Sequence, residues 1–351
     1  MLLSIKNMTK NVTILVCNSN MFIPSVLTEI LSNRQKCYLV ISDIDSIELF
    51  FNAIKLDNVI FFKYGTNYKF FDIIRSKRHI MSLTKTYTIE RLIFFHAEFG
   101  ELVNWFISQI SKDIPIFYCS VFPRLSFPEA TFKIKMKEKI KQYVYWGINM
   151  DILAKGNNYV IPVLSSNFFK KNRVQPLSIE TSSSLIKHEL SAFFDKNSMK
   201  APGVLLTGTV VDSKYVDKNE YITQINDLID QIGTDNILSK CHPRFSSLYG
   251  KEKDLKQIPH YIPGNLIIDN FDFIIGYEST LLVEASKAGK LAISLLEIFN
   301  PIRNELKQEL HAFFDSRLNN EGQIFYPQNI QELISLLDTY HFSRSNKSDN
   351  I

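Results

Sequence analysis

Short β-branched and aromatic runs alternate with amphipathic stretches, and they do so twice along the chain. The first block reads VTILVC, PSVLTEILSN, CYLVIS, NVIFF, RLIFFH, GELVNWFISQI and IPIFYC, with Val12 to Cys17 as its first core strand. The second opens at GVLLTG, continues through NEYITQINDLIDQIG and NILSKCHP, passes the apolar runs NLIID and FDFIIGY, and closes with STLLVEASKAG and LAISLL. Near-continuous apolar runs suit strands buried on both faces, and the stretches between them supply the helical crossovers that a parallel sheet needs. In the second block Ile222, Ile225, Leu228, Ile229 and Ile232 share one helical face, with Gly233 and later Gly289 as helix stops.

Between about 120 and 200 the alternation gives way to Pro-, Lys- and Ser-rich segments such as TFKIKMKEKIKQ and ETSSS. The expected organisation is a Rossmann-like domain over 1–150, an interdomain region over 151–200, a second Rossmann-like domain over 201–341 and a flexible tail over 342–351. A length of 351 residues accommodates two such cores. Apolar residues make up 45% of the chain, with 27 Phe, which excludes a disordered or low-complexity class. A net charge of +4 gives no footprint for nucleic acid. Cys17, Cys37, Cys119 and Cys241 lack CxxC spacing, which argues against a zinc site or disulfide framework and for a reducing, cytoplasmic setting. The first apolar run is too short for a signal segment or a membrane span.

In open α/β sheets, ligands gather at the carboxyl ends of strands. No GxGxxG follows the first strand and no GxxxxGK[ST] occurs, which disfavours dinucleotide and P-loop chemistry. Three candidate loops follow strands of the second block. In LLTGTVVDSKY, Gly208 and Thr209 let backbone amides approach a ligand and Asp212 offers a carboxylate, with Asp217 and Glu220 as competitors. In SKCHPRFSSLYG, His242 offers a proton, Pro243 turns the chain out of the strand axis and Arg244 adds a fork suited to phosphate. In GYESTLLVEASKAGK, Glu278 precedes Ser279 and Thr280, which open a helix whose first amides favour an anion. Glu284 lies one turn further on. Each has a plain alternative: Ser279 or Thr280 as an N-cap, His242 in an ordinary turn, Glu284 as a solvated carboxylate.

The order of VLLTGTVVD, HPRFSSLYG and YESTLL, over about 204–290, resembles bacterial sialyltransferases of GT-B architecture. It is most like the lipooligosaccharide sialyltransferases of glycosyltransferase family 52, with motif likeness to the family 38 polysialyltransferases. The resemblance implies an α/β fold with two Rossmann-like domains facing a central cleft, the first on the acceptor side and the second holding the nucleotide donor. It implies CMP-sialic acid as donor, inversion at the anomeric carbon, no metal and no cofactor. It implies Asp212 as general base, His242 as general acid, and Ser279 and Thr280 as phosphate cradle. The acidic-acidic-Gly motif of these families is missing from IFYCSVFP. His96 and Glu98 in HAEFGE, with Glu101 beyond them, are the acceptor-side candidates.

Lys133, Lys135, Lys137, Lys139 and Lys141 lie close together, near Phe168, Phe169, Lys170 and Lys171 in the sequence. Basic residues beside aromatics suit an anionic bilayer or a polyanionic acceptor, and a solvated helix face is the alternative. The expected partners are therefore a nucleotide-sugar donor, a lipid-linked glycan acceptor (lipooligosaccharide, O-antigen or capsule) and a second copy of the chain. The expected location is cytoplasmic, on the inner face of the inner membrane. Two other functions fit the same residues: a GT-B transferase for a Kdo or hexose donor, and a non-catalytic GT-B scaffold in polysaccharide assembly.

Overall fold

The computed structural model describes residues 10–64, 70–95, 101–110, 114–119, 131–146, 151–154, 160–163, 174–196, 203–208, 215–241, 247–302, 305–318 and 320–348. The chain divides into two compact units, Met1–Glu189 and Leu190–Ile351. Among the described residues no helix is long and apolar enough to cross a membrane.

The first unit runs β1 (Lys10–Val16), α1 (Ile23–Ser32), β2 (Tyr38–Ser42), α2 (Asp45–Ile54), β3 (Val59–Lys63), α3 (Phe70–Thr86), β4 (Tyr87–Phe94), α4 (Glu101–Ile110) and β5 (Ile116–Tyr118). It continues with α5 (Phe132–Trp146), β6 (Asp151–Ala154), β7 (Val160–Val163), β8 (Gln175–Pro176) and α6 (Ser183–Glu189). Six strands form one sheet in the order β3-β2-β1-β4-β5-β8, each pairing parallel, while β6 and β7 make a separate antiparallel ribbon. Every residue of β2 is buried, as its uninterrupted apolar run requires in a sheet covered on both faces.

The register of β1 against β4 shifts between Val12 and Thr13, skipping Glu90 on β4 and setting Arg91 opposite Thr13. Arg91 then donates to Thr13 Oγ1 at 3.3 Å and pairs with Glu29 of α1, which also accepts from the Tyr38 hydroxyl at 3.0 Å. One ion pair thus ties α1 to β4, and the strand between them closes the set.

The boundary between the units falls inside the expected interdomain region, and much of that region has structure of its own. β8 adds to the first sheet, with Leu177 N donating to Tyr118 O at 2.9 Å. The segment before α6 is pinned to α1, where Ser182 N donates to Thr28 Oγ1 at 3.1 Å and Thr181 shares a hydrogen bond with Ser25 at 3.3 Å.

The second unit runs α7 (Ser191–Lys196), β9 (Val204–Thr207), α8 (Lys218–Ile232), β10 (Ile237–Lys240), β11 (Lys256–Gln257), β12 (Phe273–Gly276), α9 (Thr280–Lys287), β13 (Leu291–Ser294), α10 (Leu306–Leu318), β14 (Ile324–Phe325) and α11 (Ile330–Ser348). Its sheet has the order β11-β10-β9-β12-β13-β14, again all parallel. Counted within each unit, both sheets follow the doubly wound order 3-2-1-4-5-6. The NLIID run forms consecutive 3-10 turns, Gly264–Leu266 and Ile268–Asn270, in place of extended chain. α11 runs through to Ser348, across the stretch expected as a tail.

Helix α8 buries Tyr221, Ile225, Leu228 and Ile229 against the sheet, close to the face expected from spacing, and ends at Gly233. The Tyr221 hydroxyl donates to Glu252 Oε1 at 2.7 Å, and Tyr249 N donates to Glu252 Oε2 at 3.1 Å. Burial still outweighs these bonds and pushes the Glu252 carboxyl up to about 7. A carboxyl raised from its unfolded value of about 4.3 stabilises the fold fully below that value and loses this contribution as pH rises through about 7. Glu252→Gln copies the protonated acid. It is expected to flatten part of the decline in unfolding free energy between mildly acidic and mildly alkaline pH, read by urea denaturation. An undiminished decline would move the effect to other groups.

Candidate functional site

The strand pairing lines up four residues in one row across the carboxyl end of the second sheet. Lys240 of β10 pairs with Thr207 of β9, Thr207 with Gly276 of β12, and Gly276 with Ser294 of β13. Residues paired in a parallel sheet direct their side chains to the same face. The row crosses the boundary between β9 and β12, where the strand order reverses and a doubly wound sheet opens a crevice.

Gly276 has no room for a side chain. A Cβ there would lie 2.3 Å from Thr207 Oγ1 and 3.1 Å from Thr207 O, and 3.6 Å from the Ser279 Cβ. Glycine at this position is what lets Thr207 approach so closely, while the turn carrying Ser279 lies at ordinary contact distance. Thr207 is itself fixed by donating to Ile275 O at 3.2 Å, and Ser294 by donating to Tyr277 O at 3.0 Å. Gly208 follows Thr207 at φ +83°, a conformation open to glycine, and its amide donates to Lys240 O at 3.2 Å.

Ser279 is the N-cap of α9, with its hydroxyl accepting from Leu281 N at 3.3 Å, and Thr280 is the first helical residue. The capping role and the anion role are compatible, because one hydroxyl satisfies one amide and the positive end of the helix remains beside the row. Glu278 is half-buried just before the cap. Burial raises the hydroxyl of its neighbour Tyr277, and the charges of Glu278, Glu220 and Glu297 add to that.

Glu284 is occupied elsewhere. It takes a side-chain hydrogen bond from Asn265 and feels the charge of Arg317, yet burial lifts its carboxyl to about 7. It therefore belongs to a buried cluster one turn deeper than the cap, beside the 3-10 turn at Gly264–Leu266.

The competitors of Asp212 have structural work. Asp217 caps α8, accepting from Asn219 N at 2.8 Å and Glu220 N at 3.1 Å. Glu220 accepts from Asn300 N at 2.8 Å and from Asn300 Nδ2 at 3.0 Å. Asp212, Thr209, His242, Pro243, Arg244, His96 and Glu98 lie outside the described residues. In sequence, Thr209 follows Gly208, and His242 comes two positions after Lys240.

Lys240 is the residue that pattern reading missed. It is 6% exposed, and its Nζ donates to His260 O at 3.5 Å. Among the described residues no carboxylate pairs with it, and burial lowers its ammonium to about 8. A buried cation without a counter-charge is costly by itself and becomes favourable beside a bound anion. The row thus brings a cation beside a helix N-terminus, two components of a phosphate site. Among the described residues no group of three or more His, Cys, Asp or Glu side chains is placed to hold a metal ion.

No protein-family model matches the chain, and no curated protein matches it in sequence. Solved structures do. The wall teichoic acid polymerase TagF aligns at a TM-score of 0.50 with 11% identity, covering 93% of this chain and 79% of that one. A sialyltransferase from Photobacterium damsela aligns at 0.48 with 13% identity, covering 91% and 81%, and a UDP-GlcNAc 2-epimerase from Neisseria meningitidis bound to UDP-GlcNAc aligns at 0.45 with 10% identity, covering 96% and 93%. At such identities the likeness speaks for architecture alone: the chain has the GT-B fold, an α/β chain of two Rossmann-like units.

Proposed function

We propose that this chain is an inverting glycosyltransferase that holds the phosphate of a nucleotide sugar at the carboxyl end of its second sheet and passes the sugar to a glycan hydroxyl. The observation that carries the reading is the row Lys240, Thr207, Gly276, Ser294 with the Ser279-capped helix beside it. The finer reading, CMP-sialic acid as donor and a lipid-linked glycan as acceptor, is supported by the sequence likeness over about 204–290.

On this reading Asp212 takes the acceptor proton as the acceptor oxygen bonds to the anomeric carbon. The bond from that carbon to the phosphate oxygen breaks, and His242 gives its proton to the departing CMP. Lys240, Arg244 and the amides at Thr209, Ser279 and Thr280 hold the phosphate charge, while the Gly208 amide is taken by Lys240 O, so leaving-group stabilisation and positioning supply most of the rate. No metal or cofactor takes part, His96 and Glu98 face the acceptor, and the protein works in the cytoplasm.

Three outcomes test this reading. CMP at a hundredfold excess over its Kd should stabilise the protein by about 2.7 kcal/mol, a rise in Tm of roughly 5–10 °C for a unit of this size. A larger rise with UDP or GDP would reassign the donor. His242→Ala should lower CMP-sialic acid turnover by about 100-fold or more without added metal, and unchanged turnover would end the acid role. Lys240→Met should raise the Tm of the ligand-free protein, since it removes a buried charge that no carboxylate among the described residues offsets, while weakening CMP binding by about tenfold or more. A loss of stability with CMP affinity intact would make Lys240 structural.

A further inference from the structure

Helix α5 is built inside out. Phe132 is 80% exposed, Tyr143 78%, Val144 65%, Ile140 59% and Met136 45%. At about 100° per residue these five fall in one sector of about 120°. The opposite sector carries Gln142, which is buried, together with the half-buried Ile134 and Glu138, and the helix lies against α4. The inner side is therefore mixed, with a buried amide, while the five large apolar side chains face solvent, the reverse of an ordinary surface helix. Large exposed apolar stripes of this kind mark contact surfaces.

The lysines specify the contact. Lys133, Lys137 and Lys139 are exposed. By the same helical spacing Lys139 borders the stripe on one side, Lys137 borders it on the other and Lys133 stands within it. Lys141 is turned to the inner sector, where it pairs with Glu138 at 3.5 Å. No Asp or Glu occurs in the outward sector. A second copy of the chain is a poor occupant, because pairing this face with itself would set Lys133, Lys137 and Lys139 against the same lysines with no acidic side chain in the sector to offset them.

We propose that the outward face of α5 docks on an anionic bilayer surface, with Phe132, Met136, Ile140, Tyr143 and Val144 entering the headgroup–acyl boundary and Lys133, Lys137 and Lys139 meeting lipid phosphates. The structure supplies the apolar half of this surface, which the lysine run by itself does not. The assignment does not depend on which nucleotide the second unit binds.

The test is sedimentation of the full chain with vesicles of phosphatidylcholine alone or mixed with phosphatidylglycerol. Binding to the mixed vesicles should exceed binding to the neutral ones and weaken as salt is raised. K133Q/K137Q/K139Q should weaken it by roughly 100-fold, about fivefold for each lysine. M136Q/I140Q/V144Q should weaken it by about tenfold or more with an unchanged Tm, since these side chains support no core. Absence of binding to anionic vesicles, or binding that survives both triple variants, would overturn the proposal. So would a dimer, seen by analytical ultracentrifugation, that the apolar triple variant dissolves, because the face would then belong to a second copy.

Discussion

The close approach of β9 and β12 at Thr207 and Gly276 is the contact on which the second unit depends. A parallel sheet of this order sends its chain to opposite faces from the two strands beside the reversal, so backbone must leave the sheet there in both directions without blocking the crevice between. Thr207 is held by the carbonyl of Ile275, one residue before the glycine. With no Cβ at Gly276, the Ser279 turn sits directly over that point and α9 starts at the sheet edge. A side chain there would clash with the hydroxyl and carbonyl of Thr207 and force the two strands apart at the row.

Burial disfavours the charged forms of Glu252, Glu284 and Lys240 in this unit, and their surroundings differ in a way that separates structure from function. Glu252 has both oxygens engaged, by Tyr221 and by Tyr249 N. Glu284 has Asn265 and the charge of Arg317. Each is a buried acid matched inside the protein, which is how a fold tolerates a polar group in its core. Lys240 has one long contact with a carbonyl oxygen. Burial disfavours all three charged forms, but only the lysine stands in the row at the strand reversal, and no carboxylate among the described residues offsets its charge. An unmatched charge at a ligand-binding position is what a site waiting for an anion requires.

Features written in local periodicity were legible in the sequence. The apolar runs of β1, β2, β9 and β12 name buried parallel strands directly, and the face of α8 follows from its spacing. Ser279 and Gly233 mark helix ends because their chemistry acts within a turn. Features set by long-range pairing were not legible. Gln175–Pro176 is a strand only because Tyr118 lies beside it, and no two-residue segment carries a period. NLIID has the composition of a strand but forms 3-10 turns in which Gly264 approaches Leu281 of α9. Lys240 reads as a charge ending an apolar run. It becomes a buried cation only once β10 is known to pair with β9 on one side and β11 on the other, making it an interior strand of the sheet. Asp217 and Glu220 looked as able as Asp212 to act as a base until their hydrogen bonds were known.

Helix α5 shows the same limit from the other side. Its lysines at alternate positions suggest a solvated face, and its spacing alone does not say which side turns inward. Rolling the helix by half a turn would bury Phe132, Met136, Ile140, Tyr143 and Val144, which at their present exposure leaves roughly 5–10 kcal/mol of apolar burial unrealised. The polar seam opposes that roll. Gln142 is buried on α5, Asn104 is buried on α4, and the two helices pack together. Turning the stripe in would set five apolar side chains against a seam that holds a buried amide on each helix. Two buried amides thus mark the inner side of α5, and its larger apolar side chains are left for a surface outside the chain.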